Sequence, residues 1–192
     1  IADSYSFFNP TTSYVVSAGN DGPAANTVDS PGSAYNTITV GALGSANGFD
    51  AIAGFSSRAP QDFGYFTAGT FVTVAGVRAA VDITAPGASL TTAFYGGQNG
   101  GNNASLTGSV DLGSTPTAYS ADIAGTSFAA PIVAGGATLV ASAAKTLAPL
   151  VSNSNASQSM VVKSLLLTGA DKTTGWSNGQ QSVTVGGTTF LQ

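Results

Sequence analysis

Ser127 follows Ala124-Gly125-Thr126 and opens the Ala-rich run Phe128-Ala129-Ala130-Pro131. A glycine just before it lets the backbone come close to a bound ligand. A helix start at this point offers unpaired N–H groups and a positive dipole end. A hydroxyl placed there can attack a carbonyl while its own N–H faces the oxyanion that forms. The same position suits a plain helix N-cap, and taken alone the cap is the commoner use of Ser. Asn20 is the second candidate. It ends Val15-Val16-Ser17-Ala18-Gly19 and precedes Asp21-Gly22-Pro23. Its amide could donate to a developing oxyanion, although an Asn at such a turn more often just adopts a left-handed backbone.

Composition limits what these residues can do. The 192 residues include no His and no Cys. An imidazole base, a thiolate nucleophile and a Cys-ligated metal are therefore absent from this chain. Any mechanism that needs His must borrow it. Five Lys+Arg against nine acids, all of them Asp, give a net charge of -4. That balance lacks the basic footprint of a nucleic-acid binder. A hydrophobic fraction of 43% with only 7% charged residues supports one packed domain over 1–192 rather than a disordered chain. No apolar run is expected to span a membrane, and the start at Ile1 reads as a chain cut from something longer.

Around the candidates, periodicity predicts α/β elements. Ser13–Ala18 and Asn36–Leu43 read as buried strands, and Phe71–Thr84 as one or two strands folded around Gly76. Thr91–Tyr119, with Gly96–Asn103 at its heart, reads as a long surface loop. A helix is expected over Phe128–Leu147, with Pro131 in its first turn. A second runs from about Ser157 to Leu167, capped by an upstream Ser or Asn, with Met160, Val161, Leu165 and Leu166 facing the core. Gly175–Gln192 reads as turns and a weak strand pair.

Taken together the segments point further. Gly125-Thr126-Ser127-Phe128-Ala129-Ala130-Pro131 resembles the nucleophile motif of the subtilisin-like serine peptidases, Gly-Thr-Ser-x-Ala-x-Pro. Val15–Pro23 resembles that family's strand and oxyanion Asn. Ser30–Leu43, Phe55–Pro60 and Asp82–Leu90 resemble intervening family segments, in the family's order. The matches cover most of Tyr14–Leu147. The resemblance implies a three-layer fold with a parallel sheet flanked by helices, of which this chain is the C-terminal portion with the upstream half absent.

It also implies roles. Ser127 corresponds to the nucleophile and Asn20 to the side-chain oxyanion donor, with the Ser127 N–H as the other donor. Ser17, Ala18 and Gly19 correspond to one wall of the pocket for the residue before the scissile bond, and Gly125 and Thr126 to its other side near the nucleophile. The family's catalytic Asp and His precede the oxyanion Asn, yet only 19 residues precede Asn20 here. Both groups are expected from an upstream segment, and the isolated chain is expected to be inactive, because a Ser without its base is a weak nucleophile. Asp122 lies close to Ser127 in sequence, but nothing in the sequence aims it there. Ile132 replaces a His that often follows the motif and is not the catalytic one.

The implied activity is that of a secreted serine endopeptidase acting on peptides or proteins, with the complementary upstream half as its partner and an extracellular or cell-surface location. No cofactor is required. Structural calcium is known in the family, but the Asp residues here are scattered and form no loop motif, so no ligand is assigned. Gln61–Val81, with Phe63, Tyr65, Phe66, Phe71, Val72 and Val74, is longer than the compact family form and suggests an inserted hairpin. Asn103-Ala104-Ser105 and Asn155-Ala156-Ser157 fit the glycosylation triplet, a pattern frequent by chance in such chains. Two rivals stay open: a pseudo-peptidase or secreted binding module on the same fold, and a fragment that self-associates through uncovered edges.

Overall fold

The computed structural model describes residues 1–45, 48–93, 119–174, 182–185 and 188–191. The Gly/Asn-rich centre of Thr91–Tyr119, Tyr95, Asn103, Asp111 and Trp176 lie outside them.

A parallel sheet forms the centre. Strand β2 (Ile38–Gly44) lies between β1 (Val15–Ser17) and β6 (Ile83–Pro86), parallel to both. Val15, Val16 and Ser17 face Ile38, Thr39 and Val40 in register, and Val40 to Leu43 face Ile83 to Pro86. A short strand β3 (Ala51–Ile52) adds antiparallel at the end of β2. The near-continuous burial of β2 fits a central parallel strand covered on both faces.

One face of this sheet packs on helix α2 (Thr126–Thr146). Ile38, Val40, Ala42 and Ala85 meet Ala129 and Val133 in one buried cluster, with Leu166 packed against it. These side chains are small, so helix and sheet approach closely. The other face carries Thr39 instead, whose hydroxyl donates to Gly32 O (2.6 Å), and Ser56, from the loop after β3, accepts from Ala42 N with its Oγ (3.0 Å).

Helix α2 begins at Thr126, two residues before the position expected, and its N-cap is Gly125. Its buried stripe is Ala129, Val133, Ala137 and Ala144, while Leu139 is 73% exposed and Leu147 lies past its end. At 21 residues it is long and apolar enough, by length and composition, to cross a membrane. That corrects the expectation that no run reaches that length. Its packing against β1, β2 and β6 accounts for the apolar stripe.

Helix α3 (Ser159–Gly169) starts after Gln158 with no side-chain cap, where an upstream Ser or Asn was expected. Its core residue is Val162, fully buried. Leu166, one helical turn on, packs on the central cluster. Met160 and Leu165, expected inside, point outward. Lys163 fixes the helix to the sheet: its ammonium meets Asp82 at 2.8 Å and donates to Thr37 O at 2.7 Å. A short helix α1 (Ala2–Phe8) precedes β1 and is tied to the strand region by Asp3, whose carboxylate accepts from Asn36 N (2.7 Å).

The inserted segment is a hairpin of β4 (Gln61–Thr67) and β5 (Thr70–Arg78). Its turn is at Ala68-Gly69, both with positive φ, rather than at Gly76. Gly76, also at positive φ, donates its N–H to Asp62 near the root, where the register shifts. Strands β7 (Leu90–Ala93) and β8 (Tyr119–Ile123) pair antiparallel beside the nucleophile segment, and β9 (Ser182–Val185) pairs with β10 (Thr188–Leu191) as the sequence suggested.

Candidate active site

The candidate residues meet where β1 ends and α2 begins. Strand β1 delivers Ser17, Ala18 and Gly19, and the chain turns at Gly19 with φ +105. A Cβ there would run into the Asp29 carboxylate and lie 2.8 Å from Ser57 Oγ, so only glycine fits. The strand end is fixed by bonds to three other segments. Ala18 N donates to Val40 O (2.9 Å), Asp29 N to Ala18 O (3.0 Å) and Ser57 N to Gly19 O (3.0 Å). Ser57 Oγ also accepts from Asp21 N (3.0 Å).

The helix start is fixed from the opposite side. Gly125 N donates to Gly87 O (2.8 Å), and Gly87 N donates to Leu43 O (3.0 Å). The Ala85-Pro86-Gly87 turn thus suspends Gly125 from the end of β2. Gly125 has φ +153 and is buried, which lets the chain turn into α2 at close quarters.

Thr126 locks the two parts together. Its side chain is fully buried. Its Oγ1 accepts from Gly19 N (3.2 Å), and its hydroxyl proton lies between Gly19 O (3.3 Å) and Asn20 Oδ1 (3.1 Å). Its backbone N–H donates to the same Asn20 Oδ1 at 2.9 Å. Asn20 therefore caps α2 from outside the helix, across 106 residues of sequence. With Oδ1 committed to Thr126, the Asn20 Nδ2 group is turned away from it, and no described residue accepts from it. Asn20 is exposed, as a donor to a ligand must be.

Ser127 is the second residue of α2 and is exposed. It is not the N-cap; that place belongs to Gly125, without a side-chain bond. The N-cap use that Ser127 alone would suggest is thereby removed. Its N–H belongs to the first turn, where helix geometry supplies no acceptor. The arrangement offers an exposed hydroxyl, a first-turn N–H and an Asn amide on one corner, a set that can stabilise a tetrahedral oxyanion.

Of the sequence candidates, the structure joins Ser17, Ala18, Gly19, Asn20, Gly125, Thr126 and Ser127 in this one corner. Thr126 is a buried clamp there rather than an open pocket lining. Asp122 is exposed on β8, and no hydrogen bond links it to Ser127. Sequence reasoning missed Ser57 and Asp29 as neighbours of Gly19. Ser57 sat in a segment already singled out, Phe55–Pro60, and Asp29 immediately precedes another, Ser30–Leu43, but only the fold reveals their proximity. A cleft of about 740 Å³ lies elsewhere, along Leu43, Phe49, Asp82 and Leu167. It lacks Ser127 and Asn20, so its size says nothing of this chemistry. Among the described residues no group of three or more His, Cys, Asp or Glu could hold a metal ion.

Comparison with known proteins gives this corner a context. The sequence profile of the Subtilase family matches residues 4–185. No curated protein matches the chain. Among solved structures, one titled "S41 Psychrophilic Protease" is 27% identical, with a TM-score of 0.52, over 87% of this chain and 42% of its own. "Sphericase" is 30% identical, with a TM-score of 0.49, over 81% of this chain and 39% of its own. "Structure of self-cleaved protease domain of PatA" is 22% identical, with a TM-score of 0.50, over 87% and 44%; that likeness is one of fold. The chain spans about two fifths of the length of these structures.

Proposed function

The chain belongs to the subtilase family, and on that premise we propose that it carries the nucleophile and oxyanion half of a serine endopeptidase site. The observation that carries the reading is the pair of bonds from Thr126 to Asn20 Oδ1, 2.9 and 3.1 Å, which orient the Asn amide beside the start of α2. A frozen amide next to an exposed Ser suits oxyanion binding, because preorganised donors cost no reorganisation during reaction.

In this reading Ser127 Oγ attacks the scissile carbonyl of a peptide and gives its proton to a base. The oxyanion accepts from Asn20 Nδ2 and from the Ser127 N–H. Collapse expels the amine, which takes the proton from that base, and leaves an ester on Ser127. Water, activated by the same base, then releases the acid and restores the hydroxyl. The sequence contains no His. The base and its Asp partner are assigned to polypeptide outside these residues, which would pack with this segment in the complete catalytic domain. The low charge and Gly/Asn/Ser/Thr-rich loops support an extracellular or cell-surface setting. No cofactor enters the steps, and structural calcium stays without assigned ligands.

A second reading is a pseudo-peptidase or binding module on the same fold, which binds peptides without cutting them. Hydrolysis of a peptide amide by the complete domain separates the two. The peptidase reading expects turnover that disappears when the upstream His is replaced by Ala. A folded domain that binds the peptide and never cleaves it would favour the binding module.

A further inference from the structure

Gly19 ends the proposed wall of the pocket for the residue before the scissile bond, and its nearest side-chain neighbour is acidic. A Cβ on Gly19 would collide with Asp29 Oδ2, so the carboxylate lies directly against the Gly19 backbone. Asp29 cannot drift far from this wall. Its N–H donates to Ala18 O (3.0 Å), and its own carbonyl accepts from Ser33 N (3.2 Å).

Asp29 is exposed, and no hydrogen bond or ion pair to its carboxylate occurs among the described residues. Other acids show the contrast. Asp3 caps Asn36 N, Asp62 holds Gly76 N, and Asp82 pairs with Lys163. Of the described cations, Lys163 is taken by Asp82, and Arg58 makes no ion pair with Asp29. Asp21, one residue past Asn20, adds a second exposed carboxylate to the same turn.

We propose that Asp29 makes the pocket select Lys or Arg as the residue before the scissile bond. This rests on the peptidase reading and names its substrate class. A long cationic side chain running along Ser17–Gly19 would meet the unpaired carboxylate at the foot of the wall. Its apolar stem would lie on the small residues of the wall while its charged head reached the acid. An apolar side chain there would strip water from a carboxylate and offer nothing in return. A carboxylate at the base of such a pocket is a known route to basic selectivity in serine peptidases of other folds.

The test uses the complete catalytic domain and four peptide amides that differ only in that residue: Arg, Lys, Leu and Phe. The wild type should show the higher kcat/KM for Arg and Lys. Asp29→Asn should lower the Arg-to-Leu ratio by roughly 10- to 100-fold, the scale of a lost charge-assisted contact. The preference should also weaken as salt is raised. A wild type that favours Leu or Phe, or an Arg-to-Leu ratio indifferent to Asp29→Asn, would overturn the inference. An equal loss on all four substrates would overturn it too, since it would make Asp29 a purely structural residue. Fluorophosphonate labelling of Ser127, run alongside, distinguishes the two levels. Labelling with an indifferent ratio sinks this inference alone; a folded wild-type domain that neither labels nor hydrolyses sinks the peptidase reading with it.

Discussion

The corner where Asn20 meets Thr126 and the β4–β5 hairpin hold their shapes by opposite means. The corner is built from small residues, and its bonds join segments more than 100 residues apart: Thr126 is fully buried and ties Gly19 and Asn20. The hairpin is built from large residues with local pairing, Phe63 against Val74 and Phe66 against Phe71. Tyr65, Phe66 and Phe71 lie in the open; Phe66 is 75% exposed. Even its Gly64 serves local packing, since the Phe71 ring lies where a side chain there would be. The hairpin touches the body at its root, through Gln61 to Val28 and Asp62 to Asn26. Large, exposed apolar side chains therefore mark the hairpin here, and small, hydrogen-bonded ones mark the candidate site.

Mutations can break this contrast. The largest effect should come from Ser127→Ala in the complete domain, which should abolish peptide hydrolysis by several orders of magnitude, the scale known for subtilisin itself. Thermal unfolding should shift little, because an exposed side chain changes stability by about 0.5 kcal/mol or less. Asn20→Ala should lower kcat by about 10²–10³, again the family's own figure rather than one drawn from this geometry; KM should change far less.

Thr126→Val moves the effect from chemistry to structure. It removes the acceptor of Gly19 N–H and one donor to Asn20 in a buried place, and should cost about 2–3 kcal/mol by urea unfolding. Thr126→Ser keeps the hydroxyl and should recover most of the activity. Equal losses in the two variants would mean that packing of the Thr methyl, not the clamp, holds the corner. Phe66→Ser on the hairpin should change stability by about 0.5 kcal/mol and leave Ser127 labelling at the wild-type rate. A drop in labelling would show that hairpin and site are coupled.

The smallest effect concerns acid. Hydrogen bonding from Thr174, first from its side chain and then from its N–H at 2.8 Å, holds the Asp50 carboxyl below the ordinary value of 3.8. A depressed folded value stabilises the fold above the unfolded value, and the contribution disappears as pH falls through the lowered one. Asp50→Asn should therefore weaken resistance to unfolding at all pH values above the ordinary 3.8, and the difference from wild type should fade as pH falls below it.

The same contrast decided what the sequence could reveal. The strands Ser13–Ala18 and Asn36–Leu43 came within two residues of β1 and β2, because buried β-branched runs bounded by turns are a local signal. The hairpin's existence was legible from its aromatics, but its turn was not. Ala68 adopts a positive φ that sequence rules reserve for Gly or Asn, and Gly76 drew the expectation instead. In α3 the outward turn of Met160 and Leu165 followed from which stripe the sheet needed, Val162 with Leu166, which helix periodicity alone does not choose. Ser127 and Asn20 were legible through family order. The clamp at Thr126 and the carboxylate of Asp29 beside Gly19 were not, because contacts across the fold leave no local pattern.

The central claim is that Ser127 is an activated nucleophile at a corner set by Asn20 and Thr126. Fluorophosphonate labelling of the complete catalytic domain, located by peptide mapping, tests it most directly. The account predicts a single adduct on Ser127, absent in Ser127→Ala and slower in Asn20→Ala. An adduct on a different residue, or none on a folded domain, would contradict it.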